Sequence, residues 1–97
     1  MSLAADFGKI PTKNPNIVIR EEFDDWALLF NPESGKVYGI NPTTVLIWQQ
    51  IDGKSSIKDI SGRIKDSFDK APDTIDEDVH AIIENLAKVG YISFARA

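Results

Sequence analysis

The stretch Trp26-Ala27-Leu28-Leu29-Phe30-Asn31-Pro32-Glu33-Ser34-Gly35-Lys36-Val37-Tyr38-Gly39-Ile40-Asn41-Pro42 decides the fold. Trp26, Leu28 and Phe30 repeat with the period of two that belongs to a strand. Asn31 to Gly35 then supplies a proline that presets φ and a glycine that permits positive φ, after which Lys36 to Ile40 reads as another short strand. At Asn41-Pro42 the period changes to that of a helix. Asparagine is a strong N-cap, and proline at the first helical position gives up only an N–H that has no helical partner.

Upstream, Asn16-Ile17-Val18-Ile19-Arg20-Glu21 is rich in β-branched residues and reads as a strand, joined to the next by a turn at Glu22-Phe23-Asp24-Asp25. The three strands make an antiparallel meander. Residues 1–15 have scattered apolar positions with Pro11 and Pro15, which predicts a flexible N-terminal arm ahead of a domain over 16–97. Met1-Ser2-Leu3 reads as a cloning remnant. Downstream, a first helix runs to about Ile51 with Val45, Trp48 and Ile51 facing inward, and stops at Asp52-Gly53. Ser56-Ile57-Lys58-Asp59 has the form of a capping box opening a second helix, whose Ile57, Ile60, Ile64 and Phe68 share one stripe. Ala71-Pro72-Asp73 breaks the chain, and Thr74-Ile75-Asp76-Glu77 has the form of a second capping box. The third helix should bury Ile75, Val79, Ile82, Leu86 and Val89 and end at Gly90, before a short terminal strand at Tyr91-Ile92-Ser93-Phe94. The order β-β-β-α-α-α predicts an α+β, winged-helix-like domain.

Composition narrows the chemistry. The chain has 97 residues, of which 42% are hydrophobic and 27% charged, as expected for one globular domain with its own core. With no cysteine and one histidine it offers neither a thiolate site, a self-supplied iron–sulfur cluster nor a multi-histidine metal site. The longest apolar run, Trp26 to Phe30, is far shorter than the roughly 20 residues of a membrane span, and no signal core precedes it, so the expected compartment is the cytoplasm. A net charge of −4 gives no positive field for nucleic acid or an anionic membrane.

No catalytic constellation stands out. His80 lies beside the apolar stripe of the third helix, where a solvated surface histidine is expected. Asp73, Asp76, Glu77 and Asp78 lack the alternation and glycine of a calcium loop and suit a helix start, where negative charge complements the macrodipole. Trp26 and Trp48 each fall on a periodic apolar face and read as core. The second and third helices have the shape of a DNA reader, but Asp73 to Val89 sets five acids against Lys88, which would repel phosphates.

Taken together, Ala27 to Asn41, then Trp48 and Asp52-Gly53, then Asp78-Val79, Leu86 and Gly90-Tyr91-Ile92, resemble the PqqD family of pyrroloquinoline quinone biosynthesis and its relatives, the recognition elements of ribosomally made, modified peptides. The resemblance covers roughly Asn16 to Phe94. It implies a non-catalytic peptide chaperone, without a cofactor, that binds the leader of a precursor peptide and presents it to a modifying enzyme, commonly a radical SAM protein. It further implies that the leader adds as a strand to the edge Lys36-Val37-Tyr38-Gly39-Ile40 and packs against a flank of the third helix at Ile83, with Asp76 and Ala87 nearby. An unpaired strand edge is suited to such addition. Ile51 stands where family members devoted to the quinone often carry cysteine, so the quinone pathway and another peptide-modification pathway both stay open. The alternative reading is an acidic winged-helix module for protein–protein contact, or a DNA-binding regulator.

Overall fold

The three expected strands form one antiparallel sheet in the computed structural model, which describes residues 8–68, 70 and 72–95. In chain order the elements are β1 (Ile10–Lys13), β2 (Val18–Glu21), β3 (Ala27–Phe30), β4 (Val37–Ile40), α1 (Pro42–Gln50), α2 (Ile57–Asp66), α3 (Ile75–Lys88) and β5 (Ile92–Ala95). The sheet order is β2-β3-β4, and the register pairs Ala27 with Ile40 and Leu29 with both Tyr38 and Ile19. Alternation then sorts the faces: Ala27, Leu29 and Ile40 enter the core, while Val18, Phe30 and Val37 form one cross-strand row on the outer face. Between β3 and β4 the chain reverses where Gly35 N–H bonds Asn31 O at 2.8 Å, with Gly35 at φ +73°, a conformation that a Cβ disfavours. Between β2 and β3, Phe23–Asp25 forms a 3-10 turn flanked by Glu22 and Trp26, and the Trp26 N–H returns to Phe23 O.

The helix starts follow their caps, with one exception. Asn41 Oδ1 accepts from Thr44 N–H at 2.9 Å, and Ser56 and Asp59 exchange both bonds of a capping box. Thr74 does not cap α3. Its backbone lies at φ −88°, ψ 7°, outside the extended conformation that turns a cap side chain onto the first turn, and its hydroxyl bonds Asp78 Oδ2 instead. The acids Asp76, Glu77 and Asp78 still complement the positive end of the helix. The α2 stripe ends at Ile64: the helix stops at Asp66, so Phe68 leaves the helical register and is 38% exposed. In α3 the buried residues are Ile75, Val79, Ile83 and Leu86; Ile82 is half-buried and Val89 is 45% exposed, contrary to the stripe expected from spacing.

The expected arm contains a strand. Residues 10–13 pair antiparallel with β5, from Ile10–Ala95 to Lys13–Ile92, with Pro11 buried and Ile57 N–H bonded to Lys9 O at 2.9 Å. Both strands of a two-stranded sheet are edges, which tolerate proline. Residues 1–7, including Met1-Ser2-Leu3, and Ala71 lie outside the described residues. Leu29, Ile40, Ile47, Trp48, Ile60, Val79 and their neighbours form one core between the meander and the helices, with β5 packed on α3.

Candidate functional site

β4 has a neighbour on one side only, and the direction of its free main-chain groups follows from the ladder. Asn31 N–H bonds Lys36 O at 3.0 Å and Glu22 N–H bonds Trp26 O at 2.7 Å. Bonded pairs recur at every second residue of an antiparallel ladder, so Tyr38 and Ile40 exchange bonds with Leu29 and Ala27. The N–H and C=O of Val37 and Gly39 therefore point away from β3. Among the described residues no strand meets them.

Beside this edge runs a groove of about 200 Å³, walled by β4 on one side and by Ile82 and Asn85 of α3 on the other, with Leu86 and Ile40 beneath. Asn85 Nδ2 donates to Tyr38 Oη at 2.9 Å, a tie between helix and strand that sets their spacing. The Tyr38 ring stands edge-on to Tyr91, with centroids 5.6 Å apart, so the phenol is held by packing as well. Trp26, Asn41 and Thr44 complete its lining. Across Asn41 and Ile82 the depression widens into a shallower hollow of about 470 Å³ bounded by Phe68, Pro72, Asp78 and Ala81. Phe68 and Trp26 are thus apolar surfaces on this depression rather than core residues, and Trp26 is 50% exposed while Trp48 is buried as expected.

The residues expected to form the site separate into two groups. Val37, Tyr38, Gly39 and Ile40 are β4 itself, and Lys36 ends the turn before it. Asp76, Ile83 and Ala87 are not brought to that edge. Asp76 faces α2, where its carboxylate accepts from Ser61 Oγ and, at 2.8 Å, from Lys65 Nζ. Ile83 is 0% exposed in the core, and Ala87 packs partly buried against it. The helix turns about 100° per residue, so these three share the α2-facing flank while Ile82 and Asn85 share the β4-facing flank. Spacing alone marks Ile82 and Ile83 as adjacent apolar positions; nothing in the sequence marks Asn85 or its bond to Tyr38.

The titratable groups around the fold have structural work. Lys65 and then Ser61 hold the Asp76 carboxyl below the ordinary aspartate range. Backbone N–H groups of Lys54 and Ser55 do the same for Asp52, which explains an aspartate at the end of α1: it organises the turn into α2. His80 is half-buried, with Nε2 3.5 Å from Glu84 Oε1, rather than solvated. Among the described residues no group of three or more His, Cys, Asp or Glu side chains is placed to hold a metal, and no helix is long and apolar enough to cross a membrane.

The model of the family of coenzyme PQQ synthesis protein D (PqqD) matches residues 27–92, and the chain belongs to this family. Its fold is similar to that of TbiB1, solved in complex with the TbiA(β) leader peptide, at a TM-score of 0.72 and 16% identity, over 89% of this chain and 99% of that one. It is also similar to a lasso peptide synthetase B1 complexed with its leader peptide, at a TM-score of 0.71 and 20% identity, over 86% and 96% of the two chains. No curated protein matches by sequence.

Proposed function

We propose that this PqqD-family chain is a peptide-binding adaptor: it takes the leader of a ribosomally made precursor as an added strand on β4, and holds it for a modifying enzyme such as a radical SAM protein, without chemistry of its own. The observation that carries this reading is the unpaired β4 edge, with Val37 and Gly39 directed outward beside a groove whose lining includes Ile40, Ile82 and Leu86. The leader-bound state of both similar structures supports the same use of the fold. In place of Asp76, Ile83 and Ala87, the reading assigns the helical wall to Ile82 and Asn85.

The energetics are adequate for a transient adaptor. Val37 and Gly39 offer four main-chain groups, and bonds worth about 1 kcal/mol net each, with three apolar anchors at about 2 kcal/mol each, give about 10 kcal/mol. Ordering a flexible leader costs about 2–5 kcal/mol, which leaves about 5–8 kcal/mol, or an affinity reaching about micromolar. The test is an amide-shift titration with the leader segment of a precursor encoded beside this gene. Shifts should concentrate on Val37 to Ile40 and on Ile82 and Asn85, with α2 nearly silent. Shifts confined to α1 and α2 would overturn the assignment.

A further inference from the structure

The groove does not end at Trp26. Beside that indole a second hollow, of about 290 Å³, has Trp26, Pro42, Val45 and Leu46 as walls and the exposed side chains of Glu21, Glu22, Asp25 and Gln49 at its rim. Trp26 lines both depressions, so its indole is the wall they share, next to Ala27 and therefore at the Ile40 end of β4. The rim is held in place by backbone: Glu22 N–H is bonded to Trp26 O at 2.7 Å, and the 3-10 turn that carries Asp25 packs on α1. Arg20 Nε is 3.7 Å from Glu22 Oε2, an exposed contact of the kind that water and salt weaken and that a better-placed cation can displace.

Apolar walls below a carboxylate rim suit one kind of side chain. A lysine or arginine can lay its aliphatic stem on Trp26 and Leu46, set its charge over the indole face, and donate to the rim carboxylates. A wholly apolar side chain would leave the rim unused, and an acidic one would be repelled by it. We propose that this hollow is a subsite for a basic residue of the bound peptide, carried just beyond its strand-forming segment at the Ile40 end. The inference rests on the reading of β4 as the peptide-binding edge, and it adds a selectivity: leaders of this protein are peptides with apolar anchors followed, on that side, by lysine or arginine.

The probe is a displayed library of random 16-residue peptides, selected on the intact protein and on a variant carrying Glu21→Gln, Glu22→Gln and Asp25→Asn. Peptides enriched on the wild type should shift the Val37 and Gly39 amides and carry lysine or arginine at a fixed distance from their apolar anchors. Replacing that residue by norleucine should weaken binding by about tenfold, as expected for a charge-assisted contact with an aromatic wall, and the triple variant should show no such difference. Enriched peptides that engage β4 without a basic preference, or whose preference survives in the triple variant, would overturn the subsite and leave the groove standing. Selection yielding nothing that moves Val37 or Gly39 would overturn both.

Discussion

Ile82 and Ile83 are neighbours in sequence with opposite expected behaviour, and a pair of aspartate substitutions separates the two possible flanks of α3. Ile83 is 0% exposed. Ile83→Asp removes about 2–3 kcal/mol of apolar burial and forces a carboxyl group into the core, where neutralising a fully buried acid at pH 7 costs about 4 kcal/mol more. A chain of this length is stable by about 5–15 kcal/mol in all, so the variant should lose a large part or all of its stability. Ile82 is half-buried on the groove, where an aspartate stays in reach of water; Ile82→Asp should cost about 1 kcal/mol and remain folded. It should nevertheless weaken leader binding by about tenfold or more, because a bound peptide would cover the charge. Urea unfolding followed by circular dichroism gives the stabilities, and titration calorimetry with the leader gives the affinities. An Ile83→Asp protein that folds and fails to bind, beside an Ile82→Asp protein that binds like wild type, would refute this placement of the groove.

Proline at Val37 removes an outward donor without breaking the β3–β4 ladder, so Val37→Pro should weaken leader binding several-fold in the same calorimetric assay, while Lys65→Ala on the α2 side leaves it unchanged. Deleting residues 1–13 strips β1 from β5 and removes buried Pro11 and the Lys9 carbonyl that accepts from Ile57; urea unfolding should show a loss of about 2–4 kcal/mol, whereas a dispensable arm would show none. Asp52 and Asp76 have folded pKa values below the ordinary one, so the stability they contribute is complete above about pH 5 and is lost as pH falls through about 4 toward their folded values. The urea midpoint should therefore drop in acid, and the double variant Asp52→Asn, Asp76→Asn should drop less steeply; an unchanged acid slope would count against both carboxylates.

Most of the fold was legible because local signals agreed with the tertiary outcome. The change of period at Asn41-Pro42 coincides with the passage from β4 to α1, and the Asn41 and Ser56 caps form as their spacing implies. Where local and long-range terms separate, the reading failed. β1 has four residues, one of them Pro11, and its pairing with β5 spans 79 or more positions, so no local pattern announces it. Phe68 continues the α2 spacing on paper, but its helix has already ended, and the side chain belongs to the depression beside α3. Trp26 keeps strand periodicity with Leu28 and Phe30, yet these three share the outer face of the sheet, while Ala27 and Leu29 between them take the core.

The site was half legible for a related reason. An unpaired edge can be inferred from strand order, because the last strand of a meander has one neighbour. Which flank of α3 faces it cannot, since the apolar stripe of a helix locates the core and is symmetric about that direction. The symmetry is broken by what packs on each side. On the Asp76 flank α2 supplies Ser61 and Lys65, and there the helix surface is occupied. On the other flank Asn85 reaches Tyr38 in a single exposed hydrogen bond, and between that tie and Trp26 the surface stays open. Occupied and open flanks differ by long-range contacts alone, so a residue at the stripe's margin such as Ile82 acquires its role from the neighbour it lacks.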